Sequence, residues 1–182
     1  MTQVLDRLHH EHKQISHLLD LLDDILAMFH DGREPDYEIL SELLQYMEDY
    51  SDQIHHPMEE VIRDRLRLRG QQQSYLDVLT RQHQALTEIT HNFRQAVEGV
   101  VNGDVQRRDQ IEAYGREMVT TLRAHLDLEE AEAFPLARRV LKEEDWEAIQ
   151  SEVARTIDPL LSENDLQRIH TIYQHLSSQA RG

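Results

Sequence analysis

The sequence predicts an all-α fold: an antiparallel up-down-up-down four-helix bundle built of two similar helical hairpins, with a C-terminal helical extension. Apolar residues recur at helical spacing over long stretches, and no strand pattern competes with them. The second half of the bundle repeats the pattern of the first. The composition agrees, because the 182 residues include only 6 Gly and 4 Pro and only 5% aromatic residues, a mixture that favours helices over sheets.

Each predicted helix ends where the apolar pattern meets a polar or turn-forming segment. HDGREPD, RGQQQS and NGD are three such segments. We therefore expect a four-helix bundle over residues 1–142 and, over residues 143–182, an extension of one or two helices packed on it. The predicted helical stretches are 2–29, 37–68, 75–101, 105–141 and a tail from 143 that is interrupted at 158–165.

Charge and cysteine content limit the possible functions. The formal net charge is −16, so the surface should repel nucleic acid and anionic lipid and attract cations. The chain has no cysteine, which excludes disulfides, thiolate metal sites and cysteine nucleophiles. No apolar run is long enough to span a membrane, and the N-terminus lacks the apolar core of a signal peptide. We expect a cytoplasmic protein.

The repeat carries histidine and glutamate with it. LHHEHKQISHLLDLL (8–22) aligns with LTRQHQALTEITHNF (79–93), which places His12 on His83. IHHPMEE (54–60) aligns with AHLDLEE (124–130), which places His55 on His125 and Glu59 on Glu129. Two matched hairpins packed face to face would bring four histidines and two glutamates toward a pseudo-two-fold axis.

IHHPMEE contains two overlapping His-x-x-x-Glu pairs, whose members share a helix face because they lie four residues apart. The two pairs are about 100° apart around a helix. The stripe of Met47, Ile54, Met58 and Ile62 places His55 and Glu59 on its flank. It places His56 and Glu60 on the far side, so that we expect these two to point outward. The repeat agrees, since the counterpart of His56 is Leu126, which binds no metal.

Four inward histidines and two inward carboxylates need a partner in a core, because a buried ionised carboxylate is costly unless it is paired or metal-bound. No inward Lys or Arg is evident near these positions, so we expect a metal site. Imidazole and carboxylate without sulfur suit iron, manganese or zinc. Six ligands exceed one tetrahedral zinc site but fit two bridged ions with open positions, an arrangement that favours iron. The expected ligands are His12, His55, Glu59, His83, His125 and Glu129.

Three other features of the sequence bear on this site. A ferritin-like di-iron site needs two Glu-x-x-His motifs, and only Glu88-x-x-His91 fits, off the apolar stripe. Each ligand histidine should have an outer hydrogen-bond partner, and His9 is one candidate for an outer position. Pro57 should kink the helix beside the site and so help to aim the ligands.

The chain resembles the hemerythrin-like, or HHE cation-binding, proteins, in particular their bacterial single-domain members. EHKQI around His12, HHPMEEVI at 55–62, QHQAL around His83 and HLDLEEAEAFP at 125–135 carry the resemblance. It implies a four-helix bundle with a non-haem di-iron centre on the same six residues. Two iron ions bridged by carboxylates, with an oxo or hydroxo bridge, would be the cofactor.

The chain departs from the oxygen-carrying hemerythrins at two points. They have His-x-x-x-His on the third helix, where this chain has Thr87 four residues after His83. Their last carboxylate lies five residues after the histidine, whereas Glu129 lies four after His125. The predicted site is the symmetric variant of four histidines and two glutamates, as in iron–sulfur-cluster repair relatives, whose N-terminal cysteine segment is missing here.

We expect the protein to bind or sense dioxygen or a related small oxidant such as peroxide or nitric oxide, or to handle iron. An enzyme that turns over peroxide or nitric oxide in a stress response is a second possibility. A helical interaction module with zinc or no metal is a third. The expected partner is a small molecule, with no nucleic acid and no membrane.

Overall fold

The computed structural model describes residues 3–156 and 171–178, and within these ranges every regular element is helical and no strand occurs. The all-α prediction is confirmed, and the helices pack against one another as a bundle. A further short helix covers residues 171–178, whereas the predicted interruption at 158–165 lies outside the described residues. The named helices are α1 (Gln3–His30), α2 (Tyr37–Tyr50), α3 (His56–Leu68), α4 (Ser74–Val101), α5 (Arg108–Leu128), α6 (Phe134–Val140) and α7 (Glu143–Thr156).

Helix ends follow local signals in the sequence. The side chain of Asp36 caps α2 by accepting a hydrogen bond from the backbone N–H of Ile39 at 3.1 Å. Gly103 follows α4 with φ +85°, a conformation that glycine adopts without strain. The predicted linkers therefore lie where the structure has them.

Two of the predicted long helices contain a π turn. The first π turn, Ser51–His55, joins α2 to α3, and the second, Glu129–Ala133, joins α5 to α6. Pro57 and Pro135 follow them in the first turn of the next helix. A proline ring clashes with the carbonyl four residues earlier, and the wider π turn relieves this clash. The kink predicted at Pro57 is therefore a π turn, which is common at functional sites.

The helices bury two apolar clusters. One fills the half of the bundle that contains Phe29 and Phe93, and Ile172 and Leu176 of the short helix pack into it. The other cluster lies around α3 and the starts of α1 and α4, where α7 contributes Trp146 and other apolar side chains. The site described below lies between these two clusters.

Helix α7 packs against α3, where an ion pair between side chains holds it in addition to apolar contact. Arg69 Nε donates to Asp145 Oδ2 at 2.8 Å, and the same oxygen accepts the backbone N–H of Lys142 at 2.9 Å. In the described part of the chain, no helix is both long and apolar enough to cross a membrane.

Candidate metal centre

Each long helical segment of the bundle delivers part of the predicted ligand set to one place. His12 comes from α1, His83 from α4 and His125 from α5. The other three lie at or next to the two π turns. His55 ends the first π turn and Glu59 lies one turn after it, whereas Glu129 begins the second π turn. None of the six side chains is more than 5% exposed. The structure therefore brings together all six residues named from the sequence.

Glu59 lies at the centre of the cluster and faces two pairs of histidines. Its Oε1 is 3.2 Å from His12 Nε2 and 3.0 Å from His55 Nε2. Its Oε2 is 3.0 Å from His83 Nε2 and 3.8 Å from His125 Nε2. One carboxylate thus presents one oxygen to each histidine pair.

Glu129 approaches the same space from the opposite side. Its Oε2 lies 3.5 Å from His12 Nε2 and 3.4 Å from His125 Nε2, so it touches one histidine of each pair. With Glu59, it forms a pair of carboxylates between the two pairs of imidazoles.

Several buried polar atoms of this cluster lie close to one another but make no well-directed hydrogen bond to any described residue. They include His55 Nε2, Glu59 Oε2 and Glu129 Oε2. Burying such atoms unpaired costs roughly 1–3 kcal/mol each, so they indicate that a further partner belongs here. A cation between imidazole nitrogens and carboxylate oxygens satisfies all of them, and the donor set suits iron, manganese or zinc.

The residues that precede the ligands of α1 and α4 hold the histidines of the adjoining segments. Glu11 Oε2 accepts the Nδ1–H of His55 at 2.8 Å. Gln82 Oε1 lies 3.3 Å from Nδ1 of His125. When Nδ1 donates to such an oxygen, the lone pair of Nε2 remains free and faces the cluster.

The residues that follow the two glutamates lie beside the remaining histidines. Glu130 Oε1 accepts from His12 Nδ1 at 2.8 Å, and Glu60 Oε1 is 3.5 Å from His83 Nδ1. The internal repeat thus extends to the outer partners. Nδ1 of the half-exposed His9 lies 3.0 Å from both oxygens of Glu130, so His9 is a rim residue that contacts the outer partner of His12.

The comparison with known families agrees with this geometry. The chain matches the Hemerythrin HHE cation binding domain over residues 3–137. It belongs to the hemerythrin HHE family. No curated protein and no solved structure matches the chain. Membership in this family, together with the buried His and Glu cluster, supports the binding of a cation.

In this hemerythrin-family site, the surroundings shift the pKa values of the two carboxylates in opposite directions. Burial raises the pKa of Glu59, but the charge of His55 and the hydrogen bond from His12 outweigh it, so the pKa lies well below the ordinary value. Burial and the charge of Glu59 raise the pKa of Glu129 well above its ordinary value. Burial opposes the charging of His55, yet Glu59 and Glu11 raise its pKa to about 10. Glu59 is therefore the charged member of the pair.

The expectation that no Arg points inward is wrong. Arg63, on α3, is 2% exposed, and its Nη1 is 3.8 Å from Glu129 Oε1. Its counterpart in the repeat is Ala133, so the matching position of the other half has no guanidinium. The stripe analysis missed Arg63 because α3 packs against both α4 and α7 and has more than one buried face.

The expectation that His56 points outward is also wrong, whereas Glu60 is more than half exposed, as predicted. His56 is 6% exposed and stacks on His83, with ring centroids 4.0 Å apart and an interplanar angle of 20°. Burial, followed by the charge of His83, lowers its pKa well below the ordinary value. His56 and Arg63 lie two turns apart on one face of α3, directed at α4. The spacing of these two residues in the sequence was therefore the signal that could have placed both on one buried face.

Proposed function

We propose that this protein is a hemerythrin-like non-haem di-iron protein that binds or senses dioxygen or a related small oxidant, or that handles iron. The observation that carries the proposal is Glu59, whose two oxygens face two different histidine pairs. We also propose the antiparallel four-helix order for residues 1–142, with the extension of residues 143–182 packed on it.

The six residues divide into ligands for two ions. His12 and His55 would hold one, His83 and His125 the other, and Glu59 and Glu129 would bridge them. A bridged iron pair with open positions supplies redox chemistry and reversible binding of small oxidants. The chain's own residues orient the imidazoles through Glu11, Gln82 and Glu130 and exclude bulk water by burial.

A small cavity beside the cluster supports a small ligand. Its volume is about 10 Å³, and His56, Thr87, Met118 and Leu122 are among the residues that line it. Such a space holds about one water molecule. Dioxygen, nitric oxide and peroxide are close to this size, whereas an organic substrate is much larger.

The test is metal content combined with an absorption spectrum. We expect about two irons per chain after expression in iron-sufficient medium. Admission of dioxygen to the reduced, anaerobic protein should give a stoichiometric and reversible spectral change. Sustained consumption of peroxide or nitric oxide would favour the enzyme instead. Protein that contains no iron would overturn the proposal and leave the interaction module.

A further inference from the structure

We propose that His56 is a fifth imidazole ligand and completes the ion held by His83 and His125. The inference rests on the proposed metal centre and adds to it, because neither the repeat nor the family match assigns a role to His56. It makes the two ions unequal, with three imidazoles on one and two on the other.

Position carries the first part of the argument. One ring nitrogen each from His56, His83 and His125 and one carboxylate oxygen of Glu59 all lie within 4.8 Å of one another. Ligand atoms at about 2.1 Å from a metal are separated by at most about 4.2 Å. A reduction of the largest separation by about 0.6 Å, together with a rotation of the stacked His56 and His83 rings that makes their nitrogens converge, would close these four side chains on one ion.

An unpaired atom carries the second part. Nε2 of His56 is buried and has no hydrogen-bond partner among the described residues, as is also true of His55 Nε2. An imidazole that served only as packing would leave this nitrogen unsatisfied, at a cost of roughly 1–3 kcal/mol. The same nitrogen would be satisfied as a metal ligand.

The asymmetry of the repeat carries the third part. The counterpart of His56 is Leu126, so the ion held by His12 and His55 has no equivalent third imidazole. Thr87, four residues after His83, lines the same cavity as His56. His56 therefore gives this half of the site an imidazole that the other half lacks.

Cobalt(II) titration of the metal-free full chain tests the proposal, since Co²⁺ reports its ligands through its visible spectrum. His56→Phe keeps a ring against His83 but removes the nitrogens, and His56→Leu reproduces the side chain of Leu126. The exposed His10, replaced by Leu, is the matched control. Circular dichroism checks that each variant is folded.

We expect the wild-type chain and the His10 variant to bind two Co²⁺ with equal affinity. Both His56 variants should bind one of the two at least about 10-fold more weakly, with an altered visible spectrum. Unchanged binding in the folded variants, or weakening in the Leu variant alone, would show a packing role and overturn the proposal. If only one variant folds, weaker binding of one Co²⁺ by that variant supports the proposal and unchanged binding overturns it. A wild-type chain that binds no metal would instead overturn the proposed function itself.

Discussion

The guanidinium of Arg63 lies against the ring of His83, with Nη2 3.0 Å from Nδ1 and Nη1 3.3 Å from Nε2. It therefore places a positive charge beside a nitrogen that faces the cluster, in the half of the site where the repeat would place Ala133. The guanidinium also lies near Glu129. Its charge lowers the pKa of Glu129, against the larger raising effects of burial and of Glu59. Arg63 thus stabilises the metal-free cluster and opposes a metal cation by repulsion.

Replacing Arg63 with Ala should raise the affinity for Fe²⁺ or Co²⁺ and lower the stability of the metal-free protein by roughly 1–3 kcal/mol, because buried acceptors lose a donor. Chelator competition measures the first effect and urea unfolding the second. The partly exposed Arg67, replaced by Ala, is the control. Equal metal affinity in the two variants would show that the guanidinium does not compete with the cation.

The two glutamates of HHPMEE should behave differently. Glu59→Ala should strip metal from the protein, because one carboxylate faces both histidine pairs. Glu60→Ala should keep the metal, because that side chain is exposed and 3.5 Å from its histidine. Metal content by elemental analysis decides, and the reverse pattern would refute the bridging assignment.

The all-helical fold class and the meeting of six His and Glu side chains in one buried cluster followed from periodicity and the repeat, because a helix face with His and Glu at matched spacing has few alternatives. The π turns did not follow, since a uniform 100° per residue ignores the clash that Pro57 and Pro135 cause. His56 and Arg63 were missed because a single apolar stripe assumes one buried face, and α3 is covered on more than one side. Glu11 and Glu130 depend on side-chain directions, which spacing alone leaves open.

Opposite substitutions of the two outer partners, Glu11 and Gln82, should change metal affinity in opposite directions. His55 donates to a carboxylate, Glu11, whereas its counterpart His125 contacts the neutral Gln82. A carboxylate partner makes the imidazole more basic, so Glu11→Gln should weaken metal binding by about 10-fold. Gln82→Glu should strengthen it. Chelator competition with Co²⁺ measures both, and a shift in the same direction for the two variants would contradict this account.

Helix α7 should contribute to stability without touching the site. Trp146 is 8% exposed within the apolar cluster around α3, so Trp146→Ala should lower the free energy of unfolding by about 3 kcal/mol through the cavity it leaves. Leu68→Ala is the control, because Leu68 is 76% exposed and should cost almost nothing. Metal stoichiometry of the folded Trp146 variant should remain that of the wild type. Loss of metal from this variant would show that α7 is part of the site.

Stability of the metal-free protein should fall as the pH rises from about 7 to about 9.5. The pKa of His55 is raised to about 10 in the folded chain, above the unfolded value of about 6.5. Its contribution is therefore complete below the unfolded pKa and is lost as the pH rises through the folded pKa. Thermal unfolding in the presence of a chelator measures this dependence.

Metal binding should show the opposite dependence on pH, because a cation must displace the proton of His55 before it can bind Nε2. The apparent affinity for Co²⁺ should rise by up to about tenfold per pH unit over this range. Glu11→Gln removes the negative charge that helps to hold the proton, so its affinity should level off at a lower pH than in the wild type. A metal affinity that stays constant from neutral to alkaline pH would show that His55 carries no proton in the metal-free site.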